Sequence, residues 1–219
     1  MESLDILAGI LEGFKVTALV TLYGMIWAVP FALVTGVLQY FTRGAARLAV
    51  TCLIEFWRSS PVLILLFVLY YALPNFGVRL SSMTVGAMAL GLNIGGYGSQ
   101  AVRAALQSLD RGQVEAGRAL GLHRLHILWL IELPQALSAM MPTFVNQFIQ
   151  LVKGTAIVSL ITLTDMTFRA KQIADAQYNP IGVYTSLLVA YLIVCYPATL
   201  LGRFLERRVR IEHRGSREI

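Results

Sequence analysis

The chain has 219 residues, of which 57% are hydrophobic and only 14% charged, with a formal net charge of +6. A soluble domain carries about 25% charged residues, so this composition excludes a soluble globular protein and points to a membrane protein. The positive charge does not mark a nucleic-acid partner. Arg203, Arg207, Arg208, Arg210, Arg214 and Arg217 all follow the last apolar stretch, where a cytoplasmic juxtamembrane tail sets orientation and attracts anionic lipid.

The N-terminus carries Glu2, Asp5 and Glu12 rather than basic residues, and no small-residue cleavage site follows a short apolar core. No cleavable signal peptide is expected. About 20 apolar residues cross a hydrocarbon core of about 30 Å, and on that measure five transmembrane helices are predicted. They lie at 16–41, 49–73, 83–102, 137–163 and 182–201. Pro30 falls inside the first as an expected kink. Pro74-Asn75, Gly77 and Asn179-Pro180 are turn signals between spans. The fold class is therefore an all-α membrane protein forming one transmembrane domain over 1–219, with no separate soluble domain. Cys52 and Cys195 lie in or beside apolar segments and read as small packing residues rather than a disulfide.

Basic residues set the predicted topology. An external N-terminus places thirteen arginines inside: Arg43, Arg47 and Arg58, then Arg103, Arg111, Arg118 and Arg124, then the six of the tail. Four basic residues, Lys15, Arg79, Arg169 and Lys171, stay outside, and Lys153 lies within a span. This is a positive-inside bias.

The same orientation puts the polar loop at about 110–134 in the cytoplasm. Asp110 is placed to cap a short helix with Glu115 in its early turns, where the positive end of the helix dipole favours an acid. Gly121 suits the helix C-terminus. A second helical piece, about Arg124 to Glu132, is expected to end before Pro134. Two short helices meeting at a glycine make an elbow. Physical reasoning alone leaves it as either a docking surface or an ordinary interfacial loop.

Within that loop Glu115, Ala116, Gly117, Gly121, Ile131, Leu133 and Pro134 stand in a spacing that resembles the E-A-A-x(3)-G-x(9)-I-x-L-P loop of bacterial ABC importer permeases. The departure is Gly117, where a second Ala is usual. The resemblance extends over most of 54–167. Phe56-Trp57-Arg58-Ser59-Ser60-Pro61-Val62-Leu63 is similar to the F-R-G-T-P-L-L segment of polar amino-acid permeases. Leu109-Asp110-Arg111-Gly112-Gln113, Leu133-Pro134-Gln135-Ala136, Pro142, Asn146-Gln147 and Leu151-Val152-Lys153 also match. The resemblance implies a subunit of the type that imports histidine, arginine, glutamate, glutamine and related solutes in a bacterial inner membrane. Its implied partners are two ATPase subunits that carry the ATP and Mg, a second permease subunit (identical or not), and an extracytoplasmic solute-binding protein. The elbow would dock in a groove of the ATPase.

Two polar stripes emerge when the third and fourth spans are wound as helices. Asn93, Tyr97, Gln100, Arg103 and Gln107 share one face, and Thr143, Asn146, Gln147, Gln150 and Lys153 another. Polar groups facing lipid are costly, so these faces either line a solute path or make interhelical hydrogen bonds. The chain departs from the resembled pattern here as well. K-D-[ST]-S-L reads Lys153-Gly154-Thr155-Ala156-Ile157, and Y-x-x-E reads Tyr97-Gly98-Ser99-Gln100, while Asp165 remains near the outer end of the fourth span. Loss of two carboxylates favours a zwitterionic, anionic or ectoine-like solute over a cationic one.

The chain is not expected to be an enzyme and needs no cofactor of its own. No G-x-x-x-x-G-K-[ST] phosphate loop occurs, and His123 and His126 lack a metal-site context. The alternatives are an ion-coupled secondary carrier, which commonly shows paired repeats absent here, and a structural membrane assembly protein.

Overall fold

The computed structural model describes residues 3–215 and contains helices and turns over that range. Helix α1 (Ser3–Leu11) is followed by α2 (Phe14–Phe41), α3 (Gly44–Ser59) and α4 (Val62–Phe67). A π turn (Val68–Ala72) and a 3-10 turn (Leu73–Phe76) extend α4. Helix α5 spans Ser82–Ser108, α6 Arg111–Ala119 and α7 Arg124–Ile127, which runs through a π turn (Leu128–Glu132) into α8 (Leu133–Gly154). A 3-10 turn (Thr155–Ile161), α9 (Met166–Gln177) and α10 (Pro180–Gly215) complete the order. Side chains of 205–215 and all of 216–219, hence Arg207, Arg208, Arg210, Arg214 and Arg217, lie outside the described residues.

The bundle is organised by small residues inside and large ones outside. Helix α2 buries Thr17, Thr21, Gly24, Ala28, Ala32, Thr35 and Gly36, while Leu22, Ile26, Trp27 and Val34 are exposed. Tight approach of small faces is what drives helix association where lipid is as apolar as the side chains. Helix α5 supplies the partner face. A Cβ at Gly91 would lie 2.4 Å from the Gly24 carbonyl oxygen, and one at Gly36 would lie 2.6 Å from the Ser99 carbonyl oxygen. Val20, Leu66, Val85, Leu90, Leu151 and Val158 form a core around this contact. A second cluster joins Ile6 and Ile10 of α1 to Met166 and Ala170 of α9 and Val183 and Ala190 of α10.

Three helical runs among the described residues are long and apolar enough to cross a membrane: 4–41, 124–161 and 180–204. The bent pair formed by α3 and α4 makes a fourth if it counts as one span. Helix α5 has the length, 27 residues, but glycines and polar side chains lower its hydropathy.

Several predicted bounds are corrected. The second span, expected unbroken over 49–73, bends by 94° between Ser59 and Val62. Pro61 pushes Ser60 into extended backbone, as a proline does to the residue before it. Arg58 therefore sits at the break, against Gly96 midway along α5, and not at the end of the bundle where the charge count had placed it. The first helical run begins at α1 and not at Val16. The fourth span starts at Leu133 and its α-helix ends at Gly154, giving way to the 3-10 turn. The stretch read as a connection before 182 contains α9. Its N-terminus is capped by Asp165, whose Oδ1 accepts the Phe168 N–H at 2.9 Å.

Candidate functional site: a two-legged elbow and two polar faces

The segment between α5 and α8 folds back on itself. Its first leg, α6, starts at Asp110, whose Oδ1 accepts the Gly112 N–H at 2.9 Å. It ends where Gly121 turns left-handed at φ +78°. There Leu122 N–H donates to the Gly117 carbonyl at 3.0 Å and Gly121 N–H to that of Arg118 at 2.9 Å. This paired closure of a helix end is the one glycine supports best.

The second leg departs from expectation. Helix does not stop before Pro134 but continues through the π turn, with Leu133 N–H bonded to the Leu128 carbonyl. A wide turn of this kind accommodates a proline that has no N–H to give. The Gln135 side chain then donates to the Ile131 carbonyl at 2.8 Å.

The seven motif residues divide by position. Glu115 and Ala116 are exposed on the outer face of α6. Gly117 is buried between the legs, where a Cβ would lie 3.0 Å from Ile127 Cγ1 and 3.5 Å from Ile131 Cδ1. The second alanine of the resembled motif is thus a glycine facing a bulky isoleucine. Leu133 joins Leu106, Leu128 and Met140 in the bundle core, and Pro134 is exposed at the start of α8. Leu120, 81% exposed, stands at the tip.

Two links between the elbow and its surroundings were not foreseen. Gln113 and Gln135 exchange amide hydrogen bonds of 3.1 and 2.6 Å, joining α6 to α8. Glu132, 1% exposed, is paired in bidentate fashion with Arg124. It also accepts the Tyr40 hydroxyl at 3.0 Å. Both glutamines lay in matched motifs, and the i to i+8 charge pair was a visible signal that straight-helix spacing does not flag.

The polar stripe of α5 faces the break in α3–α4. Asn93 donates to the Trp57 carbonyl at 2.8 Å and Tyr97 to that of Arg58 at 3.1 Å. These carbonyls lose helical partners at Pro61, so the stripe repairs the break. Gln100 donates to Gln39 Oε1 at 3.0 Å, and Gln39 donates to Thr51 at 2.8 Å. Arg103 has its Nε buried without a hydrogen-bond partner among the described residues. Gln107 is exposed.

Among the described residues, the side-chain hydrogen bonds of the first stripe run to Trp57, Arg58, Gln39 and Ser99 and not to the second stripe. Gln147 approaches α5 at Gly98, whereas Thr143, Asn146 and Gln150 are exposed in the isolated chain. Lys153 borders a groove of about 600 Å³ between α8 and α10, with Thr167, Tyr184, Tyr191, Tyr196 and Thr199. Asp165 is fully buried, capping α9 and lying 3.5 Å from the Tyr191 hydroxyl, and so is held as a structural cap at the helix start.

These bonds make Gln100 a sensitive position. Gln100→Glu removes the donor to Gln39 and sets two acceptors face to face, at a cost of about 1–3 kcal/mol for an unsatisfied buried group. A lowered thermal midpoint of the purified chain is expected; an unchanged midpoint would show that these amides carry no packing load.

Residues 13–211 match the model of the family described as binding-protein-dependent transport system inner membrane component. The chain belongs to this family. It is a membrane subunit of a transport system and not an enzyme. It is 37% identical to a probable amino-acid ABC transporter permease protein of Sinorhizobium fredii, over 95% of this chain and 90% of that one. It is 34% identical to a probable glutamine ABC transporter permease protein of Bacillus subtilis, over 92% and 94%. Among solved structures, an amino acid ABC transporter with histidines superposes with TM-score 0.77 at 28% identity, covering 93% of each chain. An inward-facing methionine ABC transporter, at 24% identity and TM-score 0.72, shares the fold.

Proposed function

We propose that this inner membrane component forms the solute path of an ATP-driven importer for amino acids or amino-acid-like solutes. The observation that carries the reading is the elbow. Its outer face presents Glu115, Ala116 and the tip residue Leu120 to solvent, while Gly117 packs the legs together against Ile127 and Ile131 behind it and Leu133 anchors the second leg in the bundle core. A rigid, exposed, mixed polar and apolar knob is suited to a groove on a partner. That partner is an ATPase subunit, two per transporter, carrying ATP and Mg. A second permease subunit and an extracytoplasmic binding protein complete the assembly.

The orientation that serves this function has the N-terminus outside and the elbow in the cytoplasm, with five crossings. Moving Arg58 to the break leaves twelve basic residues inside against four outside, which preserves the bias. In a background without Cys52 and Cys195, an impermeant thiol reagent on spheroplasts is expected to label Asn75→Cys and spare Ser108→Cys. Labelling of Ser108→Cys alone would reverse the orientation.

For the solute, the groove beside Lys153 is mostly apolar, lined by Leu187, Leu188, Leu192 and tyrosine rings, and among the described residues Lys153 is the one cation it offers to the carboxylate of an amino acid. Among the described residues no carboxylate lines that groove, consistent with a zwitterionic, anionic or ectoine-like solute. Reconstitution with the ATPase and binding protein tests the whole reading. ATP-dependent uptake of glutamine or a related solute is expected; uptake driven by an ion gradient without ATP would favour a secondary carrier.

A further inference from the structure

We infer that Arg124, Glu132 and Tyr40 form a strap that fastens the second leg of the elbow to the end of α2, so that motion of the elbow is transmitted to α2 and α5 as well as to α8. The inference rests on the elbow being the ATPase contact.

Covalent connection takes the elbow only part of the way into the bundle. Its first leg continues from α5 through Leu109 and Asp110, and its second leg continues into α8. Helix α2 is not connected to it in sequence. Yet Arg124, the first residue of α7, extends along the whole leg to pair with Glu132, the last residue of the π turn. The guanidinium lies 4.6 Å from the Phe41 ring centre and 5.7 Å from that of Tyr40. These are the final two residues of α2, whose last turn has no basic side chain of its own. The elbow thus supplies the cation that a helix C-terminus favours, and it does so with a group that also stacks on aromatic faces. Tyr40 completes the triangle by donating to Glu132 Oε1 at 3.0 Å and standing 3.4 Å from Arg124 Nη2.

The carboxylate is almost fully buried, so loss of this partner would leave a buried charge unpaired, which is strongly destabilising. Around the strap, Tyr40, Phe41 and Val37 of α2 pack on Val102, Leu106, Leu128 and Leu133. Helix α2 is in turn locked to α5 by carbonyl contacts at Gly91 and Gly36. The elbow and the adjoining ends of α2, α5 and α8 therefore form one block, and force applied at Ala116 reaches the polar stripe of α5 by two routes.

The test uses the chain reconstituted with its ATPase and binding protein, measuring solute imported per ATP hydrolysed and ATPase co-purification. Tyr40→Phe and Glu132→Gln are expected to keep the ATPase attached while uptake per ATP falls, by about tenfold in Glu132→Gln, within the range of site-to-site coupling. Arg124→Lys keeps the charge but loses the fork and is expected to resemble Glu132→Gln. Spin labels at Arg43→Cys and His126→Cys, with Cys52 and Cys195 replaced, should report one distance with and without ATP and Mg, and a broadened one in Glu132→Gln. Normal uptake per ATP in both Tyr40→Phe and Glu132→Gln would overturn the strap, as would a distance that shifts with nucleotide in the otherwise unaltered chain. Failure of the docking reading shows up separately, as an ATPase that stays attached in Gly121→Val.

Discussion

Gly91→Ala, the addition of one methyl group, is expected to abolish recovery of the folded chain. The new Cβ would stand 2.4 Å from the Gly24 carbonyl oxygen and 2.8 Å from Trp27 Cβ. Overpacking a core usually costs about 1–3 kcal/mol because side chains yield. Here the obstacle is backbone, and relief requires α2 and α5 to separate along their shared face. The contrast is Gly86→Ala, where the nearest atom is Val158 Cγ1 at 3.2 Å, the end of a side chain. Size-exclusion profiles of the detergent-solubilised variants separate the cases. Loss of the monodisperse peak is expected for Gly91→Ala and retention for Gly86→Ala; equal recovery would mean that the α2–α5 face is not closely packed.

Gly121→Val is expected to leave the bundle intact and to release the ATPase. Nothing lies within 4 Å of a Cβ at position 121, so the whole penalty comes from φ +78°. Left-handed backbone costs an L-residue roughly 1–2 kcal/mol, and more for a β-branched one. The leg end that bonds Leu122 to Gly117 then opens and the legs change their angle. Gly121→Asn is the control, since asparagine enters this conformation readily. Co-purification should be lost in the valine variant and kept in the asparagine variant. Loss in both would point to a need for glycine beyond its φ angle.

What could be read in the sequence was whatever local chemistry decides. Asp110 caps the first leg and Gly121 closes it as residue type and position implied, because a cap and a left-handed turn depend on few neighbours. The apolar runs marked the bundle, and the polar stripe of α5 does share one face. The break at Ser60–Pro61 was equally local, and Glu55, Arg58, Ser59 and Ser60 already interrupt the apolar character there, but the apolar residues on both sides read as one span, which passes over the effect of proline on its predecessor. Pro134 shows the converse: a local rule predicted a stop, and a π turn with the Gln135 side chain carried the helix through.

Helices α1 and α9 were missed because each is short, and their burial depends on one another and on α10, which no periodicity reveals. Gly117 could be matched to a motif, but not seen to face Ile127. The strap from Arg124 to Glu132 and Tyr40 joins residues 92 positions apart. Its partners are set by how the elbow folds onto α2. Asp165 read as a candidate acid of the path, and its role as the cap of α9 could be seen only once that helix was in place.

Coupling through the elbow requires that this surface, and not another, meets the ATPase. Single cysteines at Ala116 and Ala119, both exposed on the outer face of α6, would be placed in a chain lacking Cys52 and Cys195. A short bifunctional thiol reagent would then be applied to membranes containing the ATPase, with Tyr178→Cys, exposed just after the C-terminal end of α9, as comparison. The expected result is a cross-link from 116 and 119 to the ATPase and none from 178. Cross-linking from 178, with none from either elbow position, would contradict the assignment of the elbow as the coupling surface.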